Sequence, residues 1–171
     1  DVDGDADLDI AVANGGSDDV SLLLNSGLAE FPASRMLPIQ GEAPYSLGSG
    51  DLDQDGAVEL ITVNQGSTDV SVLWNDGGGG FGSVSKVKIG INAKPGSSLG
   101  DLDEDGDLDL VVATNTSGVV VVWNGGGRRL SAAETLSTVG DESSVATADL
   151  DGDGRLDIAL TRFDETVSVL L

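Results

Sequence analysis

The sequence predicts an all-β chain built as a tandem array of antiparallel sheets, and three observations predict it. An acidic motif recurs four times, as DVDGDADLD from Asp1, DLDQDGAVE from Asp51, DLDEDGDLD from Asp101 and DLDGDGRLD from Asp149, at steps of 50, 50 and 48 residues. The segments that follow it, IAVAN, LITVN, LVVAT and IALTR, are short and rich in β-branched residues, with no amphipathic helical stretch of ten or more residues beside them. Clusters of Gly, Asn, Asp and Ser punctuate the chain between these runs. A fixed period of this length marks an array whose repeats bury their apolar faces only against one another.

Within the second copy, strands are expected at residues 45–50, 58–64, 70–74 and 84–89, with the acidic motif joining the first strand to the second. Asn25-Ser26-Gly27, Asn75-Asp76-Gly77 and Asn124-Gly125-Gly126 read as hairpin turns that need left-handed backbone. Four strands in 50 residues is the size of one propeller blade. The run at 119–123 is apolar at every residue, as expected of a strand covered on both faces. The chain opens inside its first motif and reaches a third strand of the fourth copy at 166–171, so residues 1–171 are expected to form a single array of 14 strands, about three and a half blades. It is read as part of a larger propeller, with further blades or other chains covering its ends.

The spacing of the motif specifies its chemistry. Carboxylates at positions 1, 3, 5 and 9 with a backbone carbonyl at position 7 can converge on one hard cation, and calcium accepts six to eight oxygens in flexible geometry at about 2.3–2.6 Å. The expected carboxylate ligands are Asp1, Asp3, Asp5 and Asp9; Asp51, Asp53, Asp55 and Glu59; Asp101, Asp103, Asp105 and Asp109; and Asp149, Asp151, Asp153 and Asp157. The carbonyls are expected from Asp7, Ala57, Asp107 and Arg155. Up to four Ca2+ ions follow, with manganese as the second choice. No histidine or cysteine is present, so zinc, copper and iron lose their usual ligands. An EF-hand fails at position 12, where Val12, Thr62, Val112 and Leu160 stand in place of a bidentate Glu. Position 6 favours φ > 0; Gly56, Gly106 and Gly154 comply and Ala6 does not, which makes the first site the weakest expected. Glu59 is one methylene longer than the Asp of the other copies.

These motifs resemble the FG-GAP or VCBS-type repeat of bacterial surface proteins and the integrin α-subunit propeller. Phe81-Gly82 and Ala43-Pro44 look like the two halves of the family's name; Phe31-Pro32 and Leu130-Ser131 stand where the Phe-Gly pair would be. Pro44 and Pro95 precede the inner strand, and the third interval has Glu142-Ser143 there. The resemblance implies a calcium-binding β-propeller of four-stranded blades, commonly closed with about seven of them.

Composition narrows the function. Thirty acidic residues against eight basic ones give a net charge of −22, and sixteen of the thirty are expected ligands. Four divalent ions add eight positive charges and take −22 to −14, so metal binding should be coupled to folding. The acidic surface argues against nucleic acid and anionic membrane as partners, and no apolar stretch approaches a membrane span. Arg128-Arg129 is the one basic pair and reads as a solvated turn. Serine and cysteine triads are excluded without histidine, and NDGGGGFG lacks the Lys-Ser/Thr of a phosphate loop. Trp74 and Trp123 share a repeat position with Leu24 and Leu171, which favours packing between blades over sugar stacking; Tyr45 begins an inner strand.

The expected function is a non-catalytic, secreted or cell-surface module that recognises a protein or a carbohydrate. Two alternatives stand beside it: a structural subunit of a surface appendage, self-associating through open blade edges, and part of a polysaccharide lyase.

Overall fold

The computed structural model describes residues 1–90, 93–114, 118–137 and 142–171, and the described residues are all-β. Blade 1 holds β1 (Ile10–Asn14), β2 (Asp19–Leu24) and β3 (Ala33–Pro38). Blade 2 holds β4 (Pro44–Gly50), β5 (Glu59–Asn64), β6 (Asp69–Trp74) and β7 (Ser83–Lys88). Blade 3 holds β8 (Ala93–Gly100), β9 (Asp109–Thr114), β10 (Gly118–Val122) and β11 (Glu134–Ser137). Blade 4 holds β12 (Glu142–Ala148), β13 (Asp157–Arg162) and β14 (Val167–Leu170). Every sheet is an antiparallel meander in sequence order. Register repeats with it: Ile10 faces Leu23 in blade 1, Leu60 faces Leu73 in blade 2 and Leu110 faces Val122 in blade 3.

Period-2 alternation decides where the core lies. β5, β6, β9 and β10 are buried at every residue. Leu60 and Leu73 join Val20, Leu22, Leu37 and Ile39 between blades 1 and 2. Ile61, Val63, Val70, Val72 and Trp74 meet Leu110, Val112, Val120 and Val122 between blades 2 and 3. The opposite face of blade 3, Val111, Ala113, Val119 and Val121, packs on Val145, Ile158 and Leu160 of blade 4. Each fully buried Val, Leu or Ile contributes about 1.5–3 kcal/mol, so the interfaces between sheets, rather than any single sheet, hold the array together. Phe81 and Leu130, the residues standing at the Phe-Gly position, wedge against the first and second of these cores.

β8 lies between β4 and β12, the inner strands of the neighbouring blades. A Cβ at Gly50 would stand 2.9 Å from Leu99 Cδ1, and one at Gly100 would stand 2.6 Å from Leu156 Cδ1, so glycine admits the neighbouring blade's leucine at these points. Ser46 and Ser97 hydroxyls meet at 3.0 Å, and Ser98 and Thr147 at 2.9 Å. Leu8, Ile10 and Val12 on the first blade and Val167, Val169 and Leu171 on the last are exposed, so both end faces of the array are open.

Candidate metal centre

All four acidic loops adopt one hydrogen-bonded form, which the spacing of their side chains dictates. The position-1 carboxylate accepts the position-6 N–H at 3.0 Å in every copy, from Ala6, Gly56, Gly106 and Gly154. Position 5 accepts the N–H of position 7: Asp5 from Asp7, Asp105 from Asp107 and Asp153 from Arg155 at 2.9 Å, and Asp55 from Ala57 at 2.8 Å. Position 9 accepts the N–H of position 2, from Val2, Leu52, Leu102 and Leu150 at 2.8, 2.7, 3.0 and 2.8 Å. Position 6 is left-handed throughout, with φ of +90°, +96° and +94° at Gly56, Gly106 and Gly154 and +76° at Ala6. Position 4 is left-handed as well, at Gly4, Gln54, Glu104 and Gly152, a second reversal that the sequence did not disclose because only two of the four residues are glycine.

The fold brings Asp51, Asp53 and Glu59 together, then Asp101, Asp103 and Asp109, then Asp149, Asp151 and Asp157, each set with ligand oxygens within 4.8 Å of one another. In the first loop the converging set is Asp1, Asp3 and Asp5, with Asp9 outside it. In the other three loops the position-5 residue, Asp55, Asp105 or Asp153, lies outside the tight set. Glu59, Asp109 and Asp157 are buried where the loop enters the second strand. Burial pushes the carboxyls of Glu59 and Asp109 above the ordinary range; two backbone N–H donors each oppose that, and Asp53 with Asp55, or Asp103 with Asp105, add to it. The Oδ1 atoms of Asp3, Asp51 and Asp53 are buried without any hydrogen-bond partner. An all-oxygen donor set with orphaned buried acceptors is what a hard divalent cation satisfies, so the loops fit calcium.

Three asparagines that the sequence marked only as turn residues bind these loops, and two of them, Asn75 and Asn124, join a loop to the one before it. The backbone N–H of Asn25 donates to Asp9 and that of Asn124 to Asp109, both at 2.8 Å, while Asn75 reaches the longer Glu59 at 3.4 Å. Asn75 Nδ2 donates to Val2 O of the preceding loop at 2.7 Å and to Val58 O at 3.1 Å; Asn124 Nδ2 donates to Leu52 O at 2.7 Å and to Leu108 O at 3.2 Å. Their Oδ1 atoms accept the N–H of Gly77 and Gly126, which have the left-handed backbone expected, φ +87° and +74°. The near-constant offset of these asparagines from each loop was the available signal. Gln54 Nε2 adds bonds to Gly106 O at 2.8 Å and Asp107 Oδ1 at 2.9 Å. The first three loops therefore form a connected rim, with a cleft of about 290 Å³ between the first two, lined by Asp1, Gly4, Asp55, Gly56, Asp76 and Gly77 among others.

Arg128 stands exposed in a turn, as the sequence suggested, but it also makes contacts that the sequence did not disclose. Its Nε donates to Asp53 Oδ2 at 2.6 Å, and its guanidinium lies 5.0 Å from the centroid of the Trp74 ring. Trp74 is buried between blades 2 and 3 and donates Nε1–H to Ser85 at 2.8 Å, as its repeat position implied. Trp123 packs against the core between blades 3 and 4 with its Nε1–H on Glu134, and Tyr45 is exposed.

Segments 1–62, 51–112 and 101–160 each match the FG-GAP-like repeat. The chain belongs to the FG-GAP-like repeat family. Each matched segment opens on one acidic loop and ends in the second strand of the next blade, so the FG-GAP-like unit spans the contact between two loops. Among solved structures, a lectin from Agrocybe aegerita, described as specifically recognising non-reducing terminal N-acetylglucosamine, is similar at 24% identity with a TM-score of 0.63. The match covers 99% of this chain and 50% of the lectin chain, so the chain spans half the length of that structure, and at this identity the likeness concerns the fold. No curated protein matches the sequence.

Proposed function

We propose that this chain is an extracellular, calcium-binding, non-catalytic recognition module in which the ions rigidify a rim of loops that engages a protein or a glycan. The observation that carries the calcium reading is the repeated convergence of three carboxylates per loop, with buried unpartnered oxygens in the first two loops. Family membership and the lectin-like fold support recognition by the array. Loops of extracellular type bind calcium near 0.1–1 mM or more weakly, which fits millimolar surroundings and supports a secreted or cell-surface setting. Among the described residues no helix is long and apolar enough to cross a membrane.

Light scattering after size exclusion, in millimolar calcium and in chelator, is the first test. A compact particle near the chain mass of 17.3 kDa that expands in chelator supports the reading. A glycan array probed in the same two buffers then tests the glycan arm, with calcium-dependent binding expected. The open end faces, with Ile10 and Val12 at one end and Val167 and Val169 at the other, favour the structural alternative as second reading. Large assemblies that dissolve when calcium is removed would put that reading first.

A further inference from the structure

In blades 2 and 3, one hairpin residue lies against the position-3 aspartate of the preceding loop. In blade 2 it is Gly79, the fourth residue after Asn75, with φ +69°; a Cβ there would stand 3.0 Å from Asp3 Cβ. The equivalent residue of blade 3, fourth after Asn124, is Arg128, with φ +67°. An L side chain adopts that backbone only at a cost, and here the side chain is put to use. Its Nε donates to Asp53 Oδ2 at 2.6 Å and its Nη2 lies 3.9 Å from Asp55 Oδ2. The guanidinium is held at 5.0 Å from the Trp74 ring centroid. The Asp53 side chain is only 8% exposed, and its other oxygen, Oδ1, is buried and unpartnered in the cluster with Asp51 and Glu59. Arginine has thus taken one edge of a ligand carboxylate and left the other free.

We propose that Arg128 is a tethered counter-cation of the second loop, which sets the calcium affinity of that loop below the value its four carboxylates alone would give. The proposal rests on the reading of the loops as calcium sites. Affinity in oxygen cages follows the count of ligand charge, and a fixed positive charge hydrogen-bonded to the largely buried Asp53 removes one unit of that charge from the second loop; the Arg155–Asp153 pair of the fourth loop is looser, at 3.5 Å between exposed side chains. Because the arginine belongs to blade 3 and rests on a tryptophan of blade 2, calcium uptake at the second loop also bears on the contact between these blades.

The test is calcium titration calorimetry on the whole 171-residue chain, comparing wild type with Arg128→Gly and Arg128→Lys. Glycine is the residue blade 2 carries at this position and suits its backbone, so the variant should fold; circular dichroism checks that it does. One class of sites should tighten by about tenfold in Arg128→Gly. Adding Asp53→Asn should abolish the gain, which locates it at the second loop. Arg128→Lys keeps the charge and should stay near wild type. A folded Arg128→Gly protein with unchanged or weaker calcium binding would overturn the proposal while leaving the loop reading intact. A wild-type chain that takes up no calcium would overturn both.

Discussion

Ala6 shows how one side chain weakens an otherwise repeated device. It holds the same left-handed backbone and the same hydrogen bond to the position-1 carboxylate as Gly56, Gly106 and Gly154, at a cost on the order of 1 kcal/mol that they avoid. Ala6→Gly should therefore raise stability by somewhat under ~1 kcal/mol, offset in part by the greater freedom of the unfolded glycine chain. A rise of about 1–3 °C in melting temperature would register it, and a lower melting temperature would contradict it. At the far end of β5 and β6, Asp69 is buried beside Lys86 at 3.0 Å and Lys88 at 3.3 Å. Burial opposes its charge, but hydrogen bonds from Asn64, Ser67 and Lys86 and the Lys86 charge outweigh that, and its pKa falls below the ordinary carboxylate value. A carboxylate with a depressed folded-state pKa contributes stability that is in place above its unfolded pKa of about 3.9 and is lost as pH falls through the lower folded value. Asp69→Asn should thus flatten the acid limb of stability below about pH 4 and weaken the protein at neutral pH, as followed by thermal melts across that range.

At the level of elements, the loops are coupled through the ends of the third strands. Asn75 and Asn124 are buried, and each touches its own loop through backbone and side chain and the preceding loop through Nδ2. Asn75→Ala would strand Val2 O and Val58 O, and leaving buried acceptors unmade costs about 1–3 kcal/mol. Denaturant unfolding should show a loss of that order, larger than for Asn25→Ala, whose Nδ2 holds Leu8 O in an exposed setting. Equal losses would mean that the tie between loops contributes nothing beyond the turn. The strands themselves were legible because every blade repeats its alternation: β4 to β7 lie within two residues of the expected bounds. The inner strand PYSLGSG carries no apolar period of its own and depends on neighbouring blades for its contacts, so its place in the repeat rather than its alternation marked it.

For the whole molecule, a net charge of −22 concentrated in four loops makes the metal-free array work against itself. Calcium at millimolar concentration should add about 0.5–2 kcal/mol per occupied site by mass action. Calorimetric melts should then rise by several degrees between chelator and calcium, with magnesium a poor substitute because it demands an octahedron and keeps its waters. Melting that ignores calcium would sink the metal reading of the rim.

The period, the all-β class and the residues of the four loops were legible in the chain, because spacing along it fixes which carboxylates a tight loop can gather. The sequence also placed Trp74 correctly, since a position shared with leucine is an apolar position. Which three carboxylates converge in each loop is settled by the fold: Glu59, Asp109 and Asp157 open the second strand of their blades and join the set, whereas Asp9 precedes β1 and lies outside it. Only the packing of one blade on the next could disclose that Asn75 and Asn124 bind the preceding loop, or that Arg128 reaches back across more than seventy residues to Asp53. Such contacts are set by the distance between sheets, which no local pattern records.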